Sequence, residues 1–218
     1  MVKPELVIFD CDGVLVDSEP LSARAYAEVF QRHNVVIEPE LMQRCVGMKQ
    51  ADILDLIHNA KGFRLPVEEV GDIWTETKSL IAAGLNPTPG MVAFLNGLDT
   101  KRCVASSSSL ERIHHSLRVA GLSHFFDPDF VFSSSMVKRG KPEPDLFLFA
   151  AAQCGVAPAK CMVVEDSQYG VRGAKAAGMR VIGFMGGGHV TPALAPALKD
   201  AGADAVCHDW TEVAGFVV

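Results

Sequence analysis

The sequence predicts an α/β fold: a parallel sheet with helices on both faces, interrupted near its start by an all-helical insert. Strand-length apolar runs alternate with helix-spaced segments through most of the chain, the pattern of a parallel sheet. The first run, Leu6-Val7-Ile8-Phe9, is unbroken and carries Val and Ile, as a strand buried on both faces should. Residues 17–86, by contrast, contain helical stretches and no convincing strand.

The first strand runs into Asp10-Cys11-Asp12-Gly13, and such a strand delivers its chemistry just beyond its carboxyl end. Gly13 supplies backbone freedom for a tight turn there. Pro20 suits a first helical turn, and Leu21, Ala25, Val29 and Phe30 recur at helix spacing up to about residue 34. Further helices are predicted at 39–46, 50–59 and 66–83, and the Pro- and Gly-rich stretch 84–90 reads as a linker. The organisation is therefore an α/β core of residues 1–16 and 87–218, with residues 17–86 as the insert.

Beyond the linker, strands are predicted at 102–106, 130–132, 161–165, 180–184 and 205–207. Helices are expected at 110–120, 143–154 and 169–177, with Gly121 and Gly178 closing two of them. Ser108 and Glu111 have the spacing of a capping box for the first.

At 218 residues the chain suits one sizeable domain with a smaller one inserted. A net charge of −6 argues against a nucleic-acid surface. No apolar run approaches the roughly 20 residues that span a bilayer. The start, Met1-Val2-Lys3-Pro4-Glu5, lacks a signal-peptide apolar region. A cytoplasmic protein is the expectation, with a monomer as the default. The six cysteines (Cys11, Cys45, Cys103, Cys154, Cys161, Cys207) form no C-x-x-C pair and read as small hydrophobes, Cys11 pointing away from its two aspartates.

Four strand ends carry the candidate chemistry. Asp10 and Asp12 lie at the first and Ser106 and Ser107 at the second. Lys141 follows the third, and Glu165 and Asp166 close the fourth. In a parallel sheet these share one edge, so several carboxylates meet one lysine. Carboxylates so placed raise each other's pKa or recruit a cation; a hard divalent ion, Mg²⁺ first, relieves the repulsion best. Gly186-Gly187-Gly188-His189 fits neither nucleotide-binding fingerprint and reads as a plain loop. His114 and His115 face apart on a helix, and Trp74 and Trp210 read as packing.

The ordered set D-x-D-G-V-x-x-D-S-E, S-S-S, G-K-P-x-P-D and E-D-S-x-x-G-V resembles the haloacid dehalogenase-like hydrolase superfamily. The insert after the first motif is similar to the helical cap of the subfamily containing beta-phosphoglucomutase and sugar-phosphate phosphatases. The resemblance implies a Rossmann-like core with a cap, Mg²⁺, and catalysis by Asp10, Asp12, Ser106 and Lys141. Asp10 would accept the phosphoryl group as an aspartyl phosphate. Asp12 would protonate the leaving oxygen, then deprotonate the hydrolytic water, and its backbone carbonyl would ligate the metal. Ser106 and the Ser107 backbone N–H would bind a phosphoryl oxygen, and Lys141 would spread its charge. Asp166 would ligate the metal, with Glu165 either joining it or holding a bound water. Asp17, Ser18 and Glu19 would serve the hinge and helix start.

Asp12 favours phosphate-ester chemistry over dehalogenation. It and the insert also speak against a phosphorylatable signalling module, which needs neither. A phosphoglucomutase-like phosphotransferase is the alternative to a phosphatase. Mutase-like proteins carry a histidine in the first cap helix and an arginine after the cap turn, where this chain has Ser22 and Gln50. The cap stretches 22–26 and 45–49 look closer to phosphatases of sugar-acid phosphates such as 6-phosphogluconate. Gly47, Lys49 and Gln50 are the candidate substrate-binding residues of the cap; Arg44, Arg64 and Lys78 are further cations able to meet an anion. The implied partner is a small phosphorylated metabolite, with no nucleic acid or membrane.

Overall fold

The computed structural model describes residues 3–217. Met1 and Val2, part of the start read above for targeting signals, lie outside them, as does Val218. The strands are β1 (Leu6–Phe9), β2 (Lys101–Ser106), β3 (Val131–Ser133), β4 (Cys161–Glu165), β5 (Arg180–Phe184) and β6 (Ala205–Cys207). They form one sheet in the order β3-β2-β1-β4-β5-β6, with every pairing parallel. β1 is therefore central, as its unbroken apolar run requires.

Side-chain alternation along the strands separates two apolar layers. Leu6 and Ile8 share one with Cys103, Phe132 and Val163, while Val7 and Phe9 share the other with Val104, Val164 and Phe184. The first layer is covered by α7 (Asp145–Gln153), α8 (Gln168–Ala176) and α9 (Leu194–Asp200) through Phe147, Val171 and Leu198. The second is covered by α5 (Met91–Asn96), α6 (Leu110–Val119) and α10 (Trp210–Val217) through Met91, Ile113 and Val213.

Between β1 and β2 lie α1 (Glu19–Gln31), α2 (Pro39–Gln43), α3 (Gln50–Lys61) and α4 (Val70–Gly84). They enclose a core of their own that includes Tyr26, Phe30, Leu41, Ile57 and Ile73. The two chain segments joining insert and core run side by side: Asp17 N–H donates to Asn86 O at 3.0 Å and Thr88 N–H to Leu15 O at 3.1 Å. The Thr88 hydroxyl donates to Val14 O at 2.6 Å and accepts from Trp210 Nε1 at 3.0 Å, tying the return segment to the core.

The local reading needs several corrections. The first insert helix ends at Gln31, the second at Gln43, and the fourth starts at Val70 after a 3₁₀ turn. α5, α9 and α10 have no counterpart in the sequence reading. Each is at most eight residues long, too short for helical periodicity to stand out. The capping box at Ser108 is absent: Ser109 is the N-cap of α6 and accepts from Arg112 N–H at 3.3 Å. In a run of four serines the spacing rule cannot choose among hydroxyls. All six cysteines are free and buried, Cys11 among the core residues, as expected.

Phe9 meets Phe94, Phe126 and Trp210 with ring centroids about 6 Å apart. Phe9→Ala should therefore cost about 3–5 kcal/mol, read as a lowered midpoint in urea unfolding at unchanged slope.

Candidate active site

The register sets Phe9 of β1 opposite Val164 of β4, so Asp10 and Glu165 leave the sheet side by side. Lys141 Nζ donates to Asp10 Oδ1 at 2.6 Å and also to Glu165 Oε1. All three side chains are buried. The second oxygen of Glu165 accepts from the Ser167 backbone N–H at 2.8 Å and its hydroxyl at 2.9 Å. Gly170 lies so close that a Cβ there would overlap this carboxylate. Glu165 is thus held from both ends.

Asp10, Glu165 and Asp166 each offer a carboxylate oxygen within 4.8 Å of the others. Asp166 Oδ2 is buried without a directed hydrogen bond among the described residues. Three converging hard oxygens fit a divalent cation of the Mg²⁺ type. The Asp12 side chain is not part of this trio. Its Oδ1 accepts from Ser18 Oγ at 2.5 Å and Arg112 Nη2 at 2.7 Å, and its Oδ2 from Ser108 Oγ at 2.6 Å. The ligation expected of Asp12 is through its backbone carbonyl, and its carboxylate is turned to these donors.

These surroundings drive the two aspartates apart electrostatically. Burial pushes Asp10 well above the usual carboxylate range; Lys141 offsets this in part, while Glu165, Asp166 and Asp12 add to it. Glu165 is raised by burial and by Asp166, against the pull of Lys141. Burial would also raise Asp12, yet Arg112 and the Ser108 and Ser18 hydroxyls hold it below its ordinary value. Lys141 stays firmly protonated, because Asp10 and Glu165 outweigh its desolvation.

The serine loop after β2 completes the core half. Ser106 is buried, its hydroxyl accepting from Ser108 N–H at 3.1 Å and lying 3.4 Å from Asp12 Oδ2. Ser133 and Ser134 hydroxyls donate to the carbonyls of Ser108 and Ser107 at 2.7 and 3.0 Å. The Ser107 hydroxyl reaches the insert, donating to Gly47 O at 3.0 Å. Gly47 has φ +79°, and a Cβ on it would strike Ser167, so the insert touches the core there at backbone distance. Lys49 packs over Gly140, next to Lys141, and Gln50 lines the space between insert and core.

That space is a cavity of about 140 Å³ reaching from Asp10 and Asp12 to Tyr26, Trp74 and Thr77 of the insert. Trp74, read from the sequence as packing, is one of its walls. Of the other insert cations, Lys78 pairs with Glu111 at 2.8 Å and Arg64 with Asp55 at 3.2 Å, all exposed. Arg44 borders a separate surface hollow with Asp52 and Asp55. None of the three lines the cavity.

The sequence reading missed three residues. Arg112, one turn into α6, binds Asp12; only its position just past a chemistry-bearing strand end signalled it. Ser18 occupies the N-cap position of α1 but makes no side-chain cap, because its hydroxyl is engaged by Asp12. His189, in the glycine-rich loop set aside as plain, has Nε2 3.0 Å from Asp166 Oδ2. Burial would lower its pKa, but Asp166, with Glu19 and Asp17 adding, pushes it up to about 9.

The haloacid dehalogenase-like hydrolase family model matches residues 4–178. The chain is 33% identical to 6-phosphogluconate phosphatase of Escherichia coli, covering 90% of this chain and 89% of that protein. It is 32% identical to hexitol phosphatase A of the same organism, covering 94% and 91%. A solved haloacid dehalogenase-like protein of Agrobacterium tumefaciens superposes with a TM-score of 0.85 at 36% identity, covering 97% and 96%.

Glu19 lines the cavity at the start of α1. Burial, with Asp12 and Asp166, pushes its carboxyl up to about 7 despite Arg112 and His189. The folded state thus keeps a proton that the unfolded chain releases near pH 4.3, so stability falls as pH rises from there to about 7. Glu19→Gln removes this loss. In EDTA, its Tm relative to the parent protein should be higher at pH 8 than at pH 5; a gap independent of pH would refute the assignment.

Proposed function

The chain belongs to the haloacid dehalogenase-like hydrolases, and from that premise we propose that it is a Mg²⁺-dependent phosphomonoesterase acting on a small sugar or sugar-acid phosphate. One observation carries the reading: two aspartates, two residues apart at the end of the central strand, are held in opposite electrostatic settings. Asp10 faces Lys141 and the acidic trio, while Asp12 faces Arg112 and two hydroxyls. Left alone, these settings favour a proton on Asp10 and an ionised Asp12. A divalent cation beside Asp10 would favour its ionised, nucleophilic form, and the negative charge of a bound phosphate ester would raise Asp12 toward its acid form.

In this reading Asp10 Oδ attacks phosphorus, and the bond from phosphorus to the leaving oxygen breaks. Asp12 gives that oxygen its proton. Water then attacks the phosphoryl group on Asp10, passing its proton to Asp12 and releasing phosphate. Ser106 and the Ser107 N–H hold phosphoryl oxygens, and Lys141 balances their charge. Asp10, Glu165 and Asp166 would hold Mg²⁺, with the backbone carbonyl of Asp12; bound there, the ion supplies the positive charge that lets a phosphate approach these carboxylates. Residues 17–86 serve as a cap that excludes bulk water when seated, with Gly47, Lys49 and Gln50 at its contact with the core.

The size of the cavity supports a compact substrate. At about 140 Å³ it is well below the roughly 300–1,000 Å³ of drug-sized sites. The sugar-phosphate phosphatase relatives support the same class. The phosphotransferase alternative finds less support, because Ser22 and Gln50, in place of the mutase histidine and arginine, present neutral side chains to the cavity.

With Mg²⁺ the protein should release phosphate from p-nitrophenyl phosphate and from sugar phosphates. EDTA should abolish this and added Mg²⁺ restore it. Asp10→Asn should lower kcat about 10³-fold or more. Conversion of beta-glucose 1-phosphate to glucose 6-phosphate without phosphate release would overturn the phosphatase reading in favour of a mutase.

A further inference from the structure

Arg112 has more donors than the described structure uses. Its guanidinium offers five N–H groups. Nη2 binds Asp12 Oδ1 at 2.7 Å, Nη1 makes a long 3.4 Å contact to Ser22 Oγ, and Nε is buried with no partner among the described residues. A desolvated guanidinium with idle donors is costly unless a ligand takes them up. It is also the only lysine or arginine among the described residues lining the cavity. Lys141, from the segment between β3 and α7, meets Asp10, whereas Arg112 meets Asp12 and also reaches Ser22 of the insert. The two cations thus meet different aspartates, and only Arg112 also faces the cavity and the insert.

We propose that Arg112 is the specificity-determining residue for the end of the substrate remote from the phosphate, and that it binds a carboxylate there. This rests on the phosphatase reading and narrows it from sugar phosphates in general to sugar-acid phosphates. Planar, paired N–H donors match a carboxylate better than a hydroxyl. Glu19, another acid lining the cavity, is pushed up to about 7 by burial, so it repels an incoming anion less than an ordinary carboxylate would at neutral pH.

Gluconate 6-phosphate and sorbitol 6-phosphate differ only in a terminal carboxylate against a hydroxymethyl group, which makes them the test pair. The parent protein should show the higher kcat/KM for the acid. Arg112→Met should lower the acid-to-alcohol ratio about 10-fold or more, and Arg112→Lys should restore part of it. Equal losses on both substrates would overturn the proposal, reducing Arg112 to a support for Asp12; so would a parent protein that does not prefer the acid. Independently of any variant's folding, free gluconate should inhibit p-nitrophenyl phosphate hydrolysis by the parent protein more strongly than sorbitol, and equal inhibition would count against the assignment. If no phosphate ester is hydrolysed, the phosphatase reading fails. Calorimetric binding of the two compounds then decides the role of Arg112: tighter binding of the acid, lost in Arg112→Met, sustains it, and equal binding ends it.

Discussion

The site depends on one buried ion pair network. Lys141 reaches Asp10 and Glu165 at once, with both carboxylates and the ammonium shielded from solvent. Removing either kind of partner would strand an uncompensated charge, which is far costlier than the pair is stabilising. The parallel register makes the arrangement unavoidable: β1 and β4 are neighbours in phase, so acids at their ends must share space. Ser167 and Gly170, at the start of α8, then shape the place in which Glu165 sits. Three segments far apart in the chain are locked together by this one cluster.

Asp12 shows how the same strand end serves a second purpose. It is two residues from Asp10, yet it lies in a pocket of donors contributed by Ser18, Ser108 and Arg112. These come from the start of the insert and from the loop and helix after β2. The carboxylate therefore links the two bodies of the molecule.

Much of this was legible in the sequence, for a physical reason. Buried parallel strands are written as continuous apolar runs, and polar residues at their carboxyl ends must face a common edge; β4 and β5 matched their predicted limits on that basis. The same rule put Asp10, Ser106, Lys141, Glu165 and Asp166 along one edge, and the structure brings them close together there. Arg112, Ser18 and His189 were not, because each acts by tertiary contact from a position that reads locally as an ordinary helix surface, cap or loop. The short helices escaped for a related reason: packing against the sheet, not periodicity, holds them. Among the insert cations, charge alone suggested four candidates. Lys49 turned out to be seated against the core, and the geometry of α3 and α4 decided which ones were not.

The seam between insert and core is uneven, and the unevenness suits its proposed motion. Near the connecting segments it is apolar: Ile81 and Leu85 belong to the same buried cluster as Val14, Leu15 and Val16. Toward the cavity its links are polar: the buried Ser18 to Asp12, Ser107 to Gly47, Arg112 to Ser22 and the exposed Lys78–Glu111 pair. An exposed pair adds about 0–1 kcal/mol, and a single hydrogen bond about 0.5–1.5 kcal/mol, so each polar link at the mouth is weak on its own. The pivot is then where the two chain segments run side by side, and the mouth is where Asp12 and Arg112 lie. A substrate that engages both residues adds contacts to the weak side of the seam, so binding and closure reinforce each other.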